Sequence, residues 1–359
     1  WCAAVENCLY KSTDTGANFI QQTTTGFPTS IPNERVYVVQ SPSAPATMYA
    51  CIAVSSSQMD ILKTTDSGAT WTKVDLGGTA LYGSQYWYNI YIAVNPVDEN
   101  DVYVGGVRVF RSTDGGATFF DVATQREIHD DHHFGMFTPD GSRFYDLNDG
   151  GVFVTADGGT TWTPRNDGLG LLQVNPHSIG LHPEEFQFIV GTQDNGTDRY
   201  VGSDEWHHVA GGDGGFSLWD PQDPTYVYRG YVRAAFDRST EEGWSNSFYG
   251  FDPPDDGTFP FYPAAAISEA DPNRVAIGSR RVYVALDART NMTWEEKSPQ
   301  LQNSSILALK FAPSDPEVMY IGYANGRIYR TGNISAATPT WTLIYTHPSG
   351  TGCRDFAID

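Results

Sequence analysis

One eight-residue pattern recurs four times along the chain. It reads Ser12-Thr-Asp14-Thr-Gly16-Ala-Asn-Phe19, Thr64-Thr-Asp66-Ser-Gly68-Ala-Thr-Trp71, Ser112-Thr-Asp114-Gly-Gly116-Ala-Thr-Phe119 and Thr155-Ala-Asp157-Gly-Gly159-Thr-Thr-Trp162. Weaker copies end at Trp206, Trp244, Trp294 and Trp341. The closing aromatics stand 38 to 52 residues apart, with a mean of 46. Such a period fits four short strands and their turns, one blade of a β-propeller, which buries its apolar faces only against neighbouring copies. Eight copies therefore predict one all-β domain over residues 1–359, an eight-bladed propeller, with seven blades as the alternative. The two domains that 359 residues suggest by length alone lose to the repeat.

The pattern has a mechanical meaning. An aspartate at its third position folds back onto backbone N–H groups of its own turn. The glycine two places later supplies the positive φ of a tight hairpin. The aromatic opens the outgoing strand and wedges between blades. Asp14, Asp66, Asp114 and Asp157 are accordingly structural carboxylates, not reagents.

The ends of the chain look complementary. Residues 353–359 read as an inner strand with nothing after it, and residues 1–26 as a blade that lacks one. Joined, they would make a closing blade and remove an open sheet edge. Of the three pairings open to four cysteines, Cys8–Cys353 would lock that blade, with Cys2–Cys8 as the next choice. No C-x-x-C spacing points to a metal.

Charge excludes some partners. There are 43 acidic against 22 basic side chains, for a net charge of -21. A surface this negative, with no basic stripe, is a poor match for nucleic acid or anionic membrane, and no apolar run is long enough to span a bilayer. Scarce lysine, 13% aromatics and four cysteines favour a secreted or periplasmic protein, and four Asn-x-Ser/Thr sequons would permit glycosylation of it, a number that chance alone supplies in a Ser/Thr-rich chain.

The chemistry, if any, lies opposite the repeated turns. In a propeller, the loops entering inner strands and the turns between second and third strands open on one face. Here those segments are Gln85-Tyr86-Trp87-Tyr88-Asn89, His129-Asp-Asp131-His-His133, Asn148-Asp149-Gly-Gly, Thr192-Gln-Asp194-Asn195-Gly-Thr and Gly211-Gly-Asp213-Gly-Gly. On a strand, His129, Asp131 and His133 would share one side, able to hold calcium or zinc or to supply a base and its orienting partner. The competing reading is a histidine cluster that ties blades together. No cofactor is required. Tyr86, Trp87 and Tyr88 suit stacking on sugar rings or packing of a strand, and Asn89, Asp149, Asn195 and Asp213 are candidate ligand contacts.

The order Y-W-Y-N, H-x-D-x-H, N-D-G-G, T-Q-D-N-G-T and G-G-D-G-G among the S-x-D-x-G-x-T-W turns resembles the secreted "glycosyl hydrolase, BNR repeat" or Asp-box proteins over about residues 60–330. The chain is more distantly similar to sialidase, sortilin and xyloglucanase propellers. That resemblance implies a β-propeller and, in some relatives, glycan hydrolysis. The arginine triad, Tyr–Glu pair and R-I-P motif of sialidases are not legible, although Arg108, Arg126 and Arg233 are present, so sialidase activity is not expected. Two functions stay open. One is a scaffold or binding module for a glycan or an extracellular protein, self-assembly included. The other is a glycoside hydrolase with Asp131 and Asp194 as acid and base, His129 and His133 orienting them, and Asp149 and Asp213 as further carboxylates.

Overall fold

A computed structural model describes the chain apart from residues 1, 6–7, 13, 15–16, 22–24, 29–34, 75–84, 124–127, 204–205 and 359, with side chains from Leu9 onward. The chain falls into two compact units, Trp1–Leu171 and Leu172–Asp359. Among the described residues there is no helix, and every sheet is an antiparallel meander whose strands pair in chain order. Eight such sheets follow one another, the succession of an eight-bladed β-propeller, and the seven-bladed alternative is set aside.

The first unit holds four sheets. They are Cys2–Val5, Cys8–Lys11 and Ile20–Gln21; Val36–Gln40, Met48–Ser55, Gln58–Thr64 and Thr72–Lys73; Tyr91–Asn95, Asp98–Gly105, Val109–Ser112 and Phe120–Asp121; and His132–Phe137, Phe144–Asn148, Gly151–Thr155 and Thr163–Pro164. Apolar residues on both faces of the middle strands bury against the neighbouring sheets, as Ile61, Val102 and Val104 do at 0% exposure. The second unit repeats the plan. Its sheets are Val174–Leu181, Phe188–Thr192, Gly196–Tyr200 and Trp206–Ala210; Ser217–Trp219, Val227–Gly230, Phe236–Ser239 and Phe248–Gly250; Ala265–Ile267, Val275–Gly278, Val282–Ala285 and Trp294–Glu296; and Ile306–Ala312, Asp315–Tyr323, Arg327–Thr331 and Thr342–Thr346.

The repeated turns have the geometry their sequence demands. Asp66 Oδ1 accepts the Thr70 N–H at 2.9 Å and the Thr64 hydroxyl at 2.7 Å, while Oδ2 takes the Thr70 hydroxyl. Asp114 and Asp157 do the same with Thr118 and Thr161, and Asp14 with Asn18. Gly68, Gly116 and Gly159 sit at φ 87, 94 and 89, and each donates its N–H to the Ser or Thr that opens the turn. In the weaker copies Asp287 and Asn333 still clamp Thr293 and Thr340, across longer loops. Trp71, Phe119 and Trp162 are buried, and the Trp162 indole donates to Val122 O of the preceding sheet at 2.9 Å.

These bonds stabilise the ionised carboxylate, with side-chain hydroxyls and the Thr N–H groups as the main causes. Asp66 and Asp114 are lowered from 3.8 to about 2. A depressed folded pKa contributes stability above the unfolded value and loses it as pH falls through the folded one. Acid denaturation followed by circular dichroism should therefore carry a component between pH 3.8 and about 2 that Asp66→Asn and Asp114→Asn reduce. An unchanged acid limb in the double variant would refute this account of the turns.

A second device was not foreseen from the sequence. The basic residue just before the Ser or Thr of one turn reaches forward to a carbonyl in the next turn. Lys11 Nζ donates to Ser67 O at 3.3 Å, Lys63 Nζ to Gly115 O at 3.0 Å and Arg111 to Gly158 O at 3.3 Å. In the second unit Arg238 donates to Thr290 O at 2.8 Å and to Ala288 O. Val154 stands at this position in the fourth sheet and has no donor to offer.

The expected closing strand at 353–359 is not formed: residues 353–358 adopt no strand conformation. The segment is held instead against the eighth sheet, where Lys310 Nζ donates to Phe356 O at 3.3 Å and Cys353 covers Gly322. Cys353 is a free thiol whose Sγ lies 3.4 Å from Asp355 O, so the Cys8–Cys353 bond is not made. The Cys2 and Cys8 side chains, and with them a Cys2–Cys8 bond, lie outside the described residues.

Candidate functional site

In the first unit, the segment leading into Tyr91–Asn95 and the segment leading into His132–Phe137 meet. Gln85 Nε2 and Asn89 Nδ2 both donate to Asp131 Oδ1, the latter at 2.8 Å. Tyr86 is buried, and burial pushes its hydroxyl up to about 12. Its neighbours turn outward: Trp87 is 58% exposed and Tyr88 37%. Their rings lie 5.6 Å apart, and Tyr88 meets the His133 ring edge-on at 4.8 Å. His133 Nε2 donates to Asp149 Oδ1 at 2.7 Å, and a carboxylate oxygen of Asp149 lies within 4.8 Å of one of Asp131. Burial raises the Asp131 pKa; the Asn89 bond opposes the rise and the Asp149 charge adds to it.

The H-x-D-x-H segment does not act as predicted. The strand begins only at His132, and Asp131 takes a left-handed φ of 64, so His129, Asp131 and His133 share no strand face. His129 packs over Gly150, with Nδ1 3.0 Å from Asp130 O. The trio read as a metal or base set is thus split, and Asp149 is the carboxylate that adjoins Asp131. The buried histidine is His132, which the alternation skipped. Its Nδ1 donates to Asp146 Oδ1 at 2.6 Å, and Asp146 also accepts from the Tyr91 hydroxyl and from Asn148 Nδ2 at 3.0 Å. Asp146 stands at an inward position of the strand Phe144–Asn148, whose burial alternates strictly. A carboxylate at such a position must have partners, a signal available from the sequence.

The second unit gathers its own predicted residues. Asp194, at φ 60, donates its N–H to Asp213 Oδ1 at 3.3 Å, and the Tyr262 hydroxyl donates to the same oxygen. Asn195 Nδ2 donates to Gln193 O at 3.1 Å, within its own turn. Asp213 is followed by Gly214, where a Cβ would stand 2.1 Å from Gly196 O, so no larger residue fits beside it. Tyr262 was missed because Phe259-Pro-Phe-Tyr262 carries no period.

A cavity of about 630 Å³ lies elsewhere, between the turns of the second and third sheets. Its two lysines already have partners: Lys63 the carbonyl of Gly115, and Lys73 the Asp60 carboxylate at 2.7 Å. It takes no part in the site.

No family model and no curated protein matches the chain. Solved structures similar to it include YCF48 from Cyanidioschyzon merolae, at 15% identity over 79% of this chain and 91% of that one, with a TM-score of 0.32. A GH74 xyloglucanase from Xanthomonas campestris is 15% identical over 99% of this chain and 67% of its own, with a TM-score of 0.37. Sqt1 from Chaetomium thermophilum is 17% identical over 74% of each chain, with a TM-score of 0.40. Likenesses this distant have no bearing on function.

Proposed function

We propose that this chain is a secreted saccharide-binding module whose first unit receives a sugar ring on Trp87 and Tyr88. The observation that carries the reading is the exposure of these two rings beside the Asp131 and Asp149 carboxylates. A pyranose offers an apolar C–H face to an aromatic ring and hydroxyl donors to acceptors at its edge, and a few convergent polar groups then fix its orientation. Gln85, Asn89 and His133 hold the acceptors in place. On a glycan array and by calorimetry with the bound sugar, Trp87→Ala should weaken affinity about tenfold, near 1.4 kcal/mol. Its unfolding free energy should stay within about 0.5 kcal/mol of the parent, as for a surface change. An array that retains no saccharide, or full affinity in Trp87→Ala, would overturn the reading.

The approach of Asp131 to Asp149 favours hydrolysis as the second reading. A carboxyl raised by burial can donate a proton to a leaving oxygen, while Asp149, bonded to His133, would serve as the nucleophile. Separation under 4.8 Å between their nearest oxygens is nearer the spacing of about 5 Å in retaining enzymes than the roughly 6.5–9.5 Å of inverting ones. On this reading Asp149→Asn abolishes turnover of any aryl glycoside the parent cleaves. Turnover surviving in both Asp149→Asn and Asp131→Asn would exclude it.

A further inference from the structure

The second unit carries exposed rings of its own, in a contiguous strip around Asp213. Tyr231, just after the strand Val227–Gly230, is 43% exposed and lies on Gly212, where an added Cβ would come within 2.7 Å of its ring. The next residue is Asp213, half-buried, whose Oδ1 takes both the Tyr262 hydroxyl and the Asp194 N–H. Tyr262 meets Phe261 edge-on at 4.8 Å, and Phe261 is 51% exposed. The Arg233 N–H donates to Phe261 O at 2.9 Å, which ties the loop bearing Tyr231 to the loop bearing Phe261. Two exposed rings thus flank a carboxylate that is already oriented.

We propose that Tyr231, Asp213 and Phe261 form a saccharide-binding position in the second unit, selective for neutral sugars. The inference rests on the saccharide reading above and adds residues that reading does not use. The ring faces receive C–H surfaces, and Asp213 accepts hydroxyls. Asp194 and Asp213 together repel a uronate or sulfated sugar, within a chain of net charge -21. Rings around a carboxylate also suit an alkylammonium ion, but Arg233, exposed on the same loop, opposes a cation.

The full chain is titrated with cellohexaose, mannohexaose and chondroitin hexasaccharide, followed by saturation-transfer NMR and calorimetry, with choline as the cationic probe. Tyr231→Ala and Phe261→Ala should each weaken neutral hexasaccharide binding about tenfold, and the sulfated hexasaccharide should not bind. Tyr231→Leu fills the space over Gly212 without a flat face and should lose affinity similarly, which separates stacking from misfolding. If a hexasaccharide binds and only Trp87→Ala or Tyr88→Ala weakens it, this inference falls and the function above stands. If neither neutral hexasaccharide binds the parent chain, this inference falls, and the function above is decided by the glycan array. Choline binding that Tyr231→Ala removes would overturn the inference in favour of a cation site.

Discussion

Asp146→Ala is expected to cost about 3–5 kcal/mol, a large part of the roughly 5–15 kcal/mol that holds a typical domain together. The carboxylate is fully buried and accepts from the Tyr91 hydroxyl, His132 Nδ1 and Asn148 Nδ2. A carboxylate oxygen accepts, and the three groups around Asp146 are all able to donate to it. Truncation leaves three buried donors without an acceptor, and each pays for its lost water. Among the described residues His132 Nε2 already has no partner, so the network has no slack to absorb the loss. Asp146→Asn keeps the shape but turns an acceptor into a donor, at a cost of about 1–3 kcal/mol. Urea titrations of Asp146→Ala, Tyr91→Phe and the double variant measure this directly. The double should be less destabilised than the sum, because one donor no longer needs satisfying. A loss below about 1 kcal/mol for Asp146→Ala would show that the triad is incidental to stability.

Arg199→Ala is expected to be the second most damaging substitution, at about 3 kcal/mol. The side chain is 1% exposed, with its guanidinium 4.0 Å from the Trp244 ring centroid and 5.0 Å from that of Trp219. It donates to Gln187 Oε1 at 2.7 Å and to Glu242 O in the turn of the sixth sheet. Burial lowers its pKa, and the Glu242 carboxylate at 3.5 Å opposes that shift. Truncation removes two stacked faces and two hydrogen bonds, and opens a cavity between indoles. Lysine at 199 keeps the charge but not the plane, so about half of the loss should persist. Tryptophan emission is the discriminating readout, since Trp244 and Trp219 should shift to the red in Arg199→Ala. Unchanged emission with unchanged stability would refute the sandwich.

The fold was legible because its signal is local. Each turn needs an aspartate, a hydroxyl and a glycine at fixed offsets, and the structure forms the same bonds at Asp66, Asp114 and Asp157. The meeting of the segments 85–89 and 129–133, at Asn89 and Asp131, and of 192–197 and 211–215, at Asp194 and Asp213, followed from strand order alone. Alternation within 129–133 misled, because it assumes a strand where the backbone turns left-handed at Asp131. That error moved His132 to the wrong face and hid Asp146. The closing strand failed for another reason. A short β-rich end reads the same whether it pairs or lies across a sheet, and contacts at Lys310 and Gly322 decide the matter.

The forward reach of Lys11, Lys63, Arg111 and Arg238 gives the array a direction. A sheet cut out of the middle strands a cation on one side and bare carbonyls on the other. Whole-repeat duplication or deletion is therefore silent only when the splice restores a basic residue ahead of an intact turn. Such an array should grow and shrink by exchange between repeats that already share this pairing, and a copy such as the one with Val154 marks a poor place to cut. Chimeras joined at successive turns, scored for soluble expression, would reveal that grammar as a map of permitted breakpoints.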